Sequence, residues 1–104
     1  MRHIRLRLAL PLTRREIKRL DTRAAGEVRS VANYVAWVIQ RDLATKGKRK
    51  RAVLDGDPSR ERMAYEVNLT LTIPERRELE KRAAAERRSL SNLVARLVVG
   101  ELGE

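Results

Sequence analysis

One forty-residue segment occurs twice in this chain: residues 6–45 and residues 65–104 align without a gap at a constant offset of 59. Fifteen of the forty aligned positions are identical, far more than unrelated segments would share. A segment of this length is too short to bury a hydrophobic core by itself, so the two copies are expected to fold against each other. The repeat therefore predicts one compact domain built from two similar halves.

Each copy begins with a run in which apolar residues occupy every second position. The first run is His3–Leu12 and the second is Tyr65–Thr72. Alternation with a period of two is typical of a strand that is buried on one face only. Pro11 cannot donate a hydrogen bond to a neighbouring strand, so we expect the first strand to fray or end there.

A capping-box pattern follows each strand. Thr13 precedes Glu16, and Thr72 precedes Glu75, at the three-residue spacing that indicates a helix N-terminus. A thin apolar seam then predicts a first helix in each copy, and Gly26 indicates a break after the first of them. The seam residues are Ile17, Leu20, Ala24, Leu79 and Ala83.

The second helix of each copy is the most apolar part of the chain. Ser30 and Ser89 are expected to cap these two helices. Their wide apolar stripes require burial on more than one side and favour contact between the copies. The stripes are Val31, Tyr34, Val35, Val38, Ile39, Leu90, Leu93, Val94, Leu97 and Val98. We therefore predict an α+β, mostly α fold, with one unit in residues 1–45, a basic connector in residues 46–64 and a second unit in residues 65–104.

Positive charge is abundant and unevenly distributed. Lys and Arg outnumber Asp and Glu by 24 to 14, which gives a formal net charge of +10. The excess is +6 in residues 1–45, +4 in residues 46–64 and zero in residues 65–104. Such a charge favours a polyanionic partner, with nucleic acid ahead of an acidic membrane surface. Any DNA that the two copies share is expected to be held asymmetrically.

Several classes of protein are disfavoured by composition. The chain has no cysteine, which excludes disulfides and thiolate metal sites. Its apolar runs are far shorter than the roughly 18 residues of a membrane span, and its first residues alternate Arg with Leu, unlike a secretory leader. We expect a soluble cytoplasmic protein. With one histidine and no glycine-rich phosphate loop, we predict no catalytic residue, metal site or cofactor, and no enzymatic activity.

Two pairs of sequence strings resemble a known family. LRLALPLTRREI with RSVANYVAWVI, and VNLTLTIPERREL with RSLSNLVARLV, are similar to the ribbon-helix-helix superfamily of MetJ and Arc. The duplication resembles tandem members such as the TraY relaxosome proteins. The resemblance implies that two strands, one from each unit, pair antiparallel into a ribbon, and that the units form a pseudo-dimer. A two-stranded ribbon also fits the width of the DNA major groove on physical grounds.

The outward strand positions then become candidate base contacts. These are Arg5, Arg7, Asn68, Thr70 and Thr72, whose side chains suit base edges in the major groove. Ala9 and Pro11 depart from the polar pattern that the family would have at outward positions, and Glu66 would face phosphate unfavourably. By resemblance, the starts of the second helices should lie at DNA phosphates, and the connector could add a basic arm. The predicted phosphate contacts are Arg29, Ser30, Arg88, Ser89, Lys48 and Arg49.

The function that these features favour is sequence-specific binding of double-stranded DNA by a transcriptional regulator, for example a repressor, with further copies of the chain on adjacent sites. An accessory protein of plasmid transfer or conjugation would use the same ribbon, and a relaxase would then be a partner. An antitoxin-type protein-binding module is a weaker alternative, because we expect no disordered toxin-binding tail after the second unit and only the connector could serve instead. DNA packaging by charge alone is disfavoured by the neutral second unit.

Overall fold

The computed structural model describes residues 2–45 and 62–102. Across these residues there are four helices and one two-stranded antiparallel sheet, so the protein is α+β and mostly helical, as predicted. The elements in chain order are β1 His3–Leu12, α1 Arg14–Gly26, α2 Val31–Ala44, β2 Met63–Thr72, α3 Ile73–Ala85 and α4 Leu90–Leu102.

The two strands pair with each other along their whole length. The register runs from His3 opposite Thr72 to Leu12 opposite Met63. We refer to this pair of strands as the ribbon. Alternate side chains on one face of the ribbon are buried against the helices, and those on the other face are exposed, as the alternation in the sequence predicts. The buried set is Leu8, Leu10, Leu12, Val67, Leu69 and Leu71.

Both strands extend beyond the limits expected from the sequence. The prediction that β1 frays or ends at Pro11 is wrong, because the strand continues to Leu12 and Pro11 lies opposite Ala64. Each strand of a two-stranded sheet has one free edge, where a residue without an amide hydrogen is tolerated. The Pro11 carbonyl accepts a hydrogen bond from the Arg62 side chain at 3.1 Å. β2 begins at Met63, so the end of the predicted connector belongs to the strand.

Both predicted capping boxes are confirmed. The Thr13 hydroxyl accepts from the Glu16 amide at 3.2 Å, and the Glu16 carboxylate accepts from the Thr13 amide at 2.9 Å. Thr72 and Glu75 form the same pair of hydrogen bonds at 3.3 and 2.9 Å. These bonds satisfy amides that a helix N-terminus leaves unpaired. Each strand therefore passes into its helix with a defined geometry.

The turn between the first and second helix of each half is built on a left-handed residue. Val28 has φ 55° and Arg87 has φ 54°. In the first half the left-handed residue is therefore Val28 and not Gly26, which the sequence predicted as the break. In the first half the amide of Arg29 donates to the Ala24 carbonyl at 2.9 Å, which is the long bond of a Schellman motif. Val28 is 93% exposed and β-branched, so its positive φ is strained and its side chain gains little burial in return.

The second helices pack across the ribbon. α2 contacts β2, α4 contacts β1, and the two helices contact each other, so each half covers the strand of the other. All of the predicted seam and stripe residues are buried or packed against this core. Burial raises the pKa of Tyr34 in α2. The Tyr65 hydroxyl donates to the Asp21 carboxylate at 3.1 Å, and burial together with this carboxylate raises the pKa of Tyr65.

A buried ion pair connects the two halves. Arg82 of α3 donates to the Asp42 carboxylate of α2 at 2.9 Å and to the Asp42 backbone carbonyl at 2.8 Å. The Asp42 side chain is fully buried and that of Arg82 is 13% exposed. A buried carboxylate that loses its cation keeps the cost of desolvation, so this pair makes the relative position of the halves sensitive to either residue.

Arg82→Ala should therefore lower the free energy of unfolding by about 3 kcal/mol, because it removes the ion pair and the hydrogen bonds that Arg82 donates to the buried Asp42 carboxylate and to the Asp42 carbonyl. Urea denaturation followed by circular dichroism measures this change. Arg77→Ala, an exposed position on the same helix, is the matched control and should change stability by less than about 0.5 kcal/mol. Equal effects of the two substitutions would show that the ion pair does not hold the halves together.

Val28→Gly should raise the free energy of unfolding by about 1 kcal/mol, because glycine adopts a positive φ without the steric cost that a β-branched residue meets. Arg87→Gly changes the equivalent position and should stabilise less, since arginine is not β-branched. The same urea titration compares both variants with the unsubstituted protein. A loss of stability in Val28→Gly would contradict the assignment of strain to this turn.

Candidate nucleic-acid interface

The face of the ribbon that points away from the helices is a continuous exposed surface. Its side chains alternate along each strand with the buried ones, so their positions are set by the pairing of two strands and by the core beneath them. We call this surface the outer face. Its exposed members are His3, Arg5, Arg7, Ala9, Ala64, Glu66, Asn68 and Thr70, with Pro11 partly buried among them.

Two of the predicted base contacts touch each other. Arg7 lies opposite Asn68, and its Nε donates to the Asn68 side-chain carbonyl at 3.4 Å. This bond sets the direction of the amide and leaves the amide hydrogens and the terminal guanidinium nitrogens as donors. The pair can therefore offer several donors together to an acceptor-rich surface, such as the guanine edge with its N7 and O6 atoms.

Arg5 and Thr70 form the next outward pair along the ribbon. Both are exposed, and they lie roughly 7 Å from Arg7 and Asn68 at the ordinary rise of a strand. The structure thus brings four of the five predicted base contacts together in one patch of two rows. That proximity follows from the register and could not be read from positions about sixty residues apart in the chain.

Thr72, the fifth predicted base contact, is placed differently. It is only partly exposed, and its hydroxyl oxygen accepts from the Glu75 amide as the N-cap of α3. A hydroxyl that accepts one bond can still donate its hydrogen, but its direction is set by the cap. His3 lies opposite Thr72 at the exposed end of the same patch. Only the register shows this neighbour of His3, the one histidine of the chain.

The N-termini of the second helices carry the predicted phosphate contacts. Ser30 caps α2 by accepting from the Asn33 amide at 3.1 Å, and Ser89 accepts from the Asn92 amide at the same distance. Both serines are exposed. The first amides of a helix have no partner within it and point along the positive end of its dipole. The amides of each N-terminus can therefore donate hydrogen bonds to an anionic oxygen.

The two arginines beside these caps are already engaged within the protein. The Nε of Arg29 lies 3.8 Å from a Glu27 carboxylate oxygen, and that of Arg88 lies 3.4 Å from Glu86. Such partly exposed pairs contribute little stability, so a phosphate could replace the carboxylate at small cost. Arg29 also stacks on the Trp37 ring, 4.8 Å from its centroid. The sequence signal for the Glu pairing is the Glu-x-Arg spacing in both halves.

A basic groove lies apart from the outer face, between α1 and the end of α4. Its volume is about 560 Å³, and it is lined by Arg15, Lys18, Arg19, Thr22, Arg23, Gly26, Glu27 and Leu102. Part of the positive charge is offset within the groove, because Arg19 donates to the Leu102 carbonyl and Glu27 adds a carboxylate to the lining. The groove is therefore a weaker anion site than its composition suggests.

Two of the predicted phosphate contacts, Lys48 and Arg49, lie outside the described residues. Within residues 2–45 and 62–102, no three acidic, histidine or cysteine side chains are grouped closely enough to hold a metal ion. No helix in the same ranges has the length and apolar character needed to cross a membrane. The outer face and the two helix N-termini thus remain the candidate interface of the described chain.

No protein-family model, no curated protein and no solved structure matches this chain.

Proposed function

We propose that the protein binds double-stranded DNA by laying the outer face of its ribbon in the major groove, and that it acts as a sequence-specific transcriptional regulator. The observation that supports this most is the exposed patch of Arg5, Arg7, Asn68 and Thr70 on a ribbon whose other face is fixed by the core. Strands about 4.8 Å apart form a layer that fits a groove roughly 12 Å wide.

The side chains of this patch match the hydrogen-bonding groups of the major groove. Arginine donates to guanine N7 and O6, asparagine pairs with adenine, and threonine contacts the thymine methyl or an acceptor. Their backbone is held by strand pairing, so little conformational entropy is lost when the groove is filled. The Arg7–Asn68 hydrogen bond restricts two of these side chains further.

The proposed architecture is two ribbon-helix-helix units in one chain, arranged as a pseudo-dimer. The matching order of strand, helix and helix in the two halves supports this proposal, as do equivalent capping boxes and equivalent left-handed turns. The strands of the two halves pair with each other, which is the arrangement that the resemblance implies. One chain would then supply the whole reading surface.

The remaining contacts of the protein would be made to the sugar-phosphate backbone of the DNA. Ser30 and Ser89 offer helix N-termini, and Arg29 and Arg88 offer guanidinium groups that neighbour them. The formal net charge of +10 would add an attraction that does not depend on sequence and weakens with salt. A phosphate network of this kind fixes the register of a protein on DNA, while the base contacts specify the site.

Selection from a random duplex library at about 150 mM salt tests the proposal, because binding by charge alone is weakened there. We expect enrichment of a short sequence that contains guanine. The position of that sequence, in a promoter or beside a transfer origin, distinguishes transcriptional regulation from a plasmid-transfer role. Recovery of DNA without any shared sequence would favour packaging, and failure to recover DNA would reject the proposal.

Asn68→Ala should cost about 1 to 3 kcal/mol of binding free energy on the selected duplex and relax the preference at one base position. Because Asn68 also orients Arg7, the double variant with Arg7→Ala should lose less than the sum of the two single losses. Fluorescence anisotropy with the selected duplex and a random duplex measures both effects.

Gln40→Ala is the matched control for the Asn68 substitution, since it removes an exposed side-chain amide from α2 instead of the ribbon. It should leave both affinities unchanged. Equal losses on the selected and random duplexes in Asn68→Ala would remove the base-reading role from this residue, and strictly additive losses would show that Arg7 and Asn68 act independently.

A further inference from the structure

The register of the ribbon defines a centre. Leu8 lies opposite Val67, and these two residues occupy aligned positions in the repeated segments, at the offset of 59. Each of the remaining aligned pairs in the ribbon is therefore placed symmetrically about this point, with one member toward each end. The two ends of the outer face can be compared position by position.

On one side of the centre the outward pairs are polar. Arg7 lies opposite Asn68, and Arg5 lies opposite Thr70. We call this the polar end. Two cations, an amide and a hydroxyl are exposed there, and all four can hydrogen-bond to base edges.

On the other side of the centre the outward pairs have almost no hydrogen-bonding capacity. Ala9 lies opposite Glu66, and Pro11 lies opposite Ala64. We call this the plain end. Its only polar side chain is a carboxylate, which phosphates repel and which could accept a hydrogen bond only from a donor such as cytosine N4.

Antiparallel pairing produces this separation. β1 has its polar outward residues near its start and β2 has them near its end, so the two sets meet at the same end of the ribbon. If either strand had the polar pattern of the other, the four residues would be divided between both ends. Arg62, which precedes β2 at the plain end, binds Glu16 at 2.7 Å and the Pro11 carbonyl.

We infer that the ribbon reads base sequence from its polar end alone, so that the preferred DNA is a single short block with a fixed orientation and no inverted repeat. This inference rests on the proposed function and specifies its substrate. The plain end would lie over neighbouring base pairs without selecting among them, and the protein would bind an asymmetric site in one direction only.

The size of the block follows from strand geometry. Two outward positions on one strand are separated by roughly 7 Å, which is about two base-pair steps along DNA. Allowing for the reach of arginine, the polar end covers about three to four base pairs. A ribbon that read from both ends would specify about twice that length, and with the same readers at both ends the site would also have two-fold symmetry.

The duplex selection already described, analysed for symmetry, tests the inference on the unsubstituted protein. One contiguous block of about three to four base pairs without an inverted repeat is the expected result. Glu66→Ala should select the same block, whereas Arg5→Ala should relax a position within it. An inverted repeat, a block about twice that length, or a cytosine or adenine preference that disappears in Glu66→Ala would overturn the inference and leave DNA binding itself intact. Absence of any enriched sequence would reject the proposed function and the inference with it.

A second test makes the two ends of the outer face alike. Ala9→Asn, Pro11→Thr, Ala64→Arg and Glu66→Arg together place at the plain end the residues that the polar end has at the aligned positions. This fourfold variant should select an inverted repeat of the original block. Circular dichroism checks that it is folded; if it is not, the unsubstituted protein and the two single variants decide the question. Selection of an unchanged single block by the folded variant would overturn the inference.

Discussion

The pairing of β1 with β2 is the interaction on which the rest of the structure depends. Within the described residues, each strand has no partner except the other, and they come from opposite halves of the chain. Their buried faces supply one side of the core, and α2 and α4 supply the other by packing across the ribbon. The same pairing places the outer-face side chains in two exposed rows, so stability and the candidate interface have a common origin.

Much of this fold could be predicted from local sequence patterns. Alternation placed the apolar side of His3–Leu12 on the buried face, and the spacing of Thr13 with Glu16 located the start of α1. Other features depended on contacts between distant residues. Alternation shows which face a side chain occupies but not which residue lies opposite, so the Arg7–Asn68 contact required the register. The buried Asp42–Arg82 pair likewise joins residues forty apart.

The turns could not be predicted from the sequence for a different reason. Val28 and Arg87 adopt a left-handed conformation that residue type alone does not indicate, and the bonds of the Schellman motif hold them there. The aligned halves share their caps and turns but differ at the outward strand positions. Shared positions thus maintain the architecture, while the differing ones give the two ends of the ribbon unequal chemistry.

The most direct measurement of the central claim uses the selected duplex with single guanines replaced by 7-deazaguanine, which removes N7 from the major groove and preserves base pairing. A ribbon that reads the major groove through arginine should lose about tenfold or more in affinity at one of these guanines. Unchanged affinity at every guanine, together with weaker binding when guanine is replaced by inosine, which lacks the minor-groove amino group, would contradict insertion of the ribbon into the major groove.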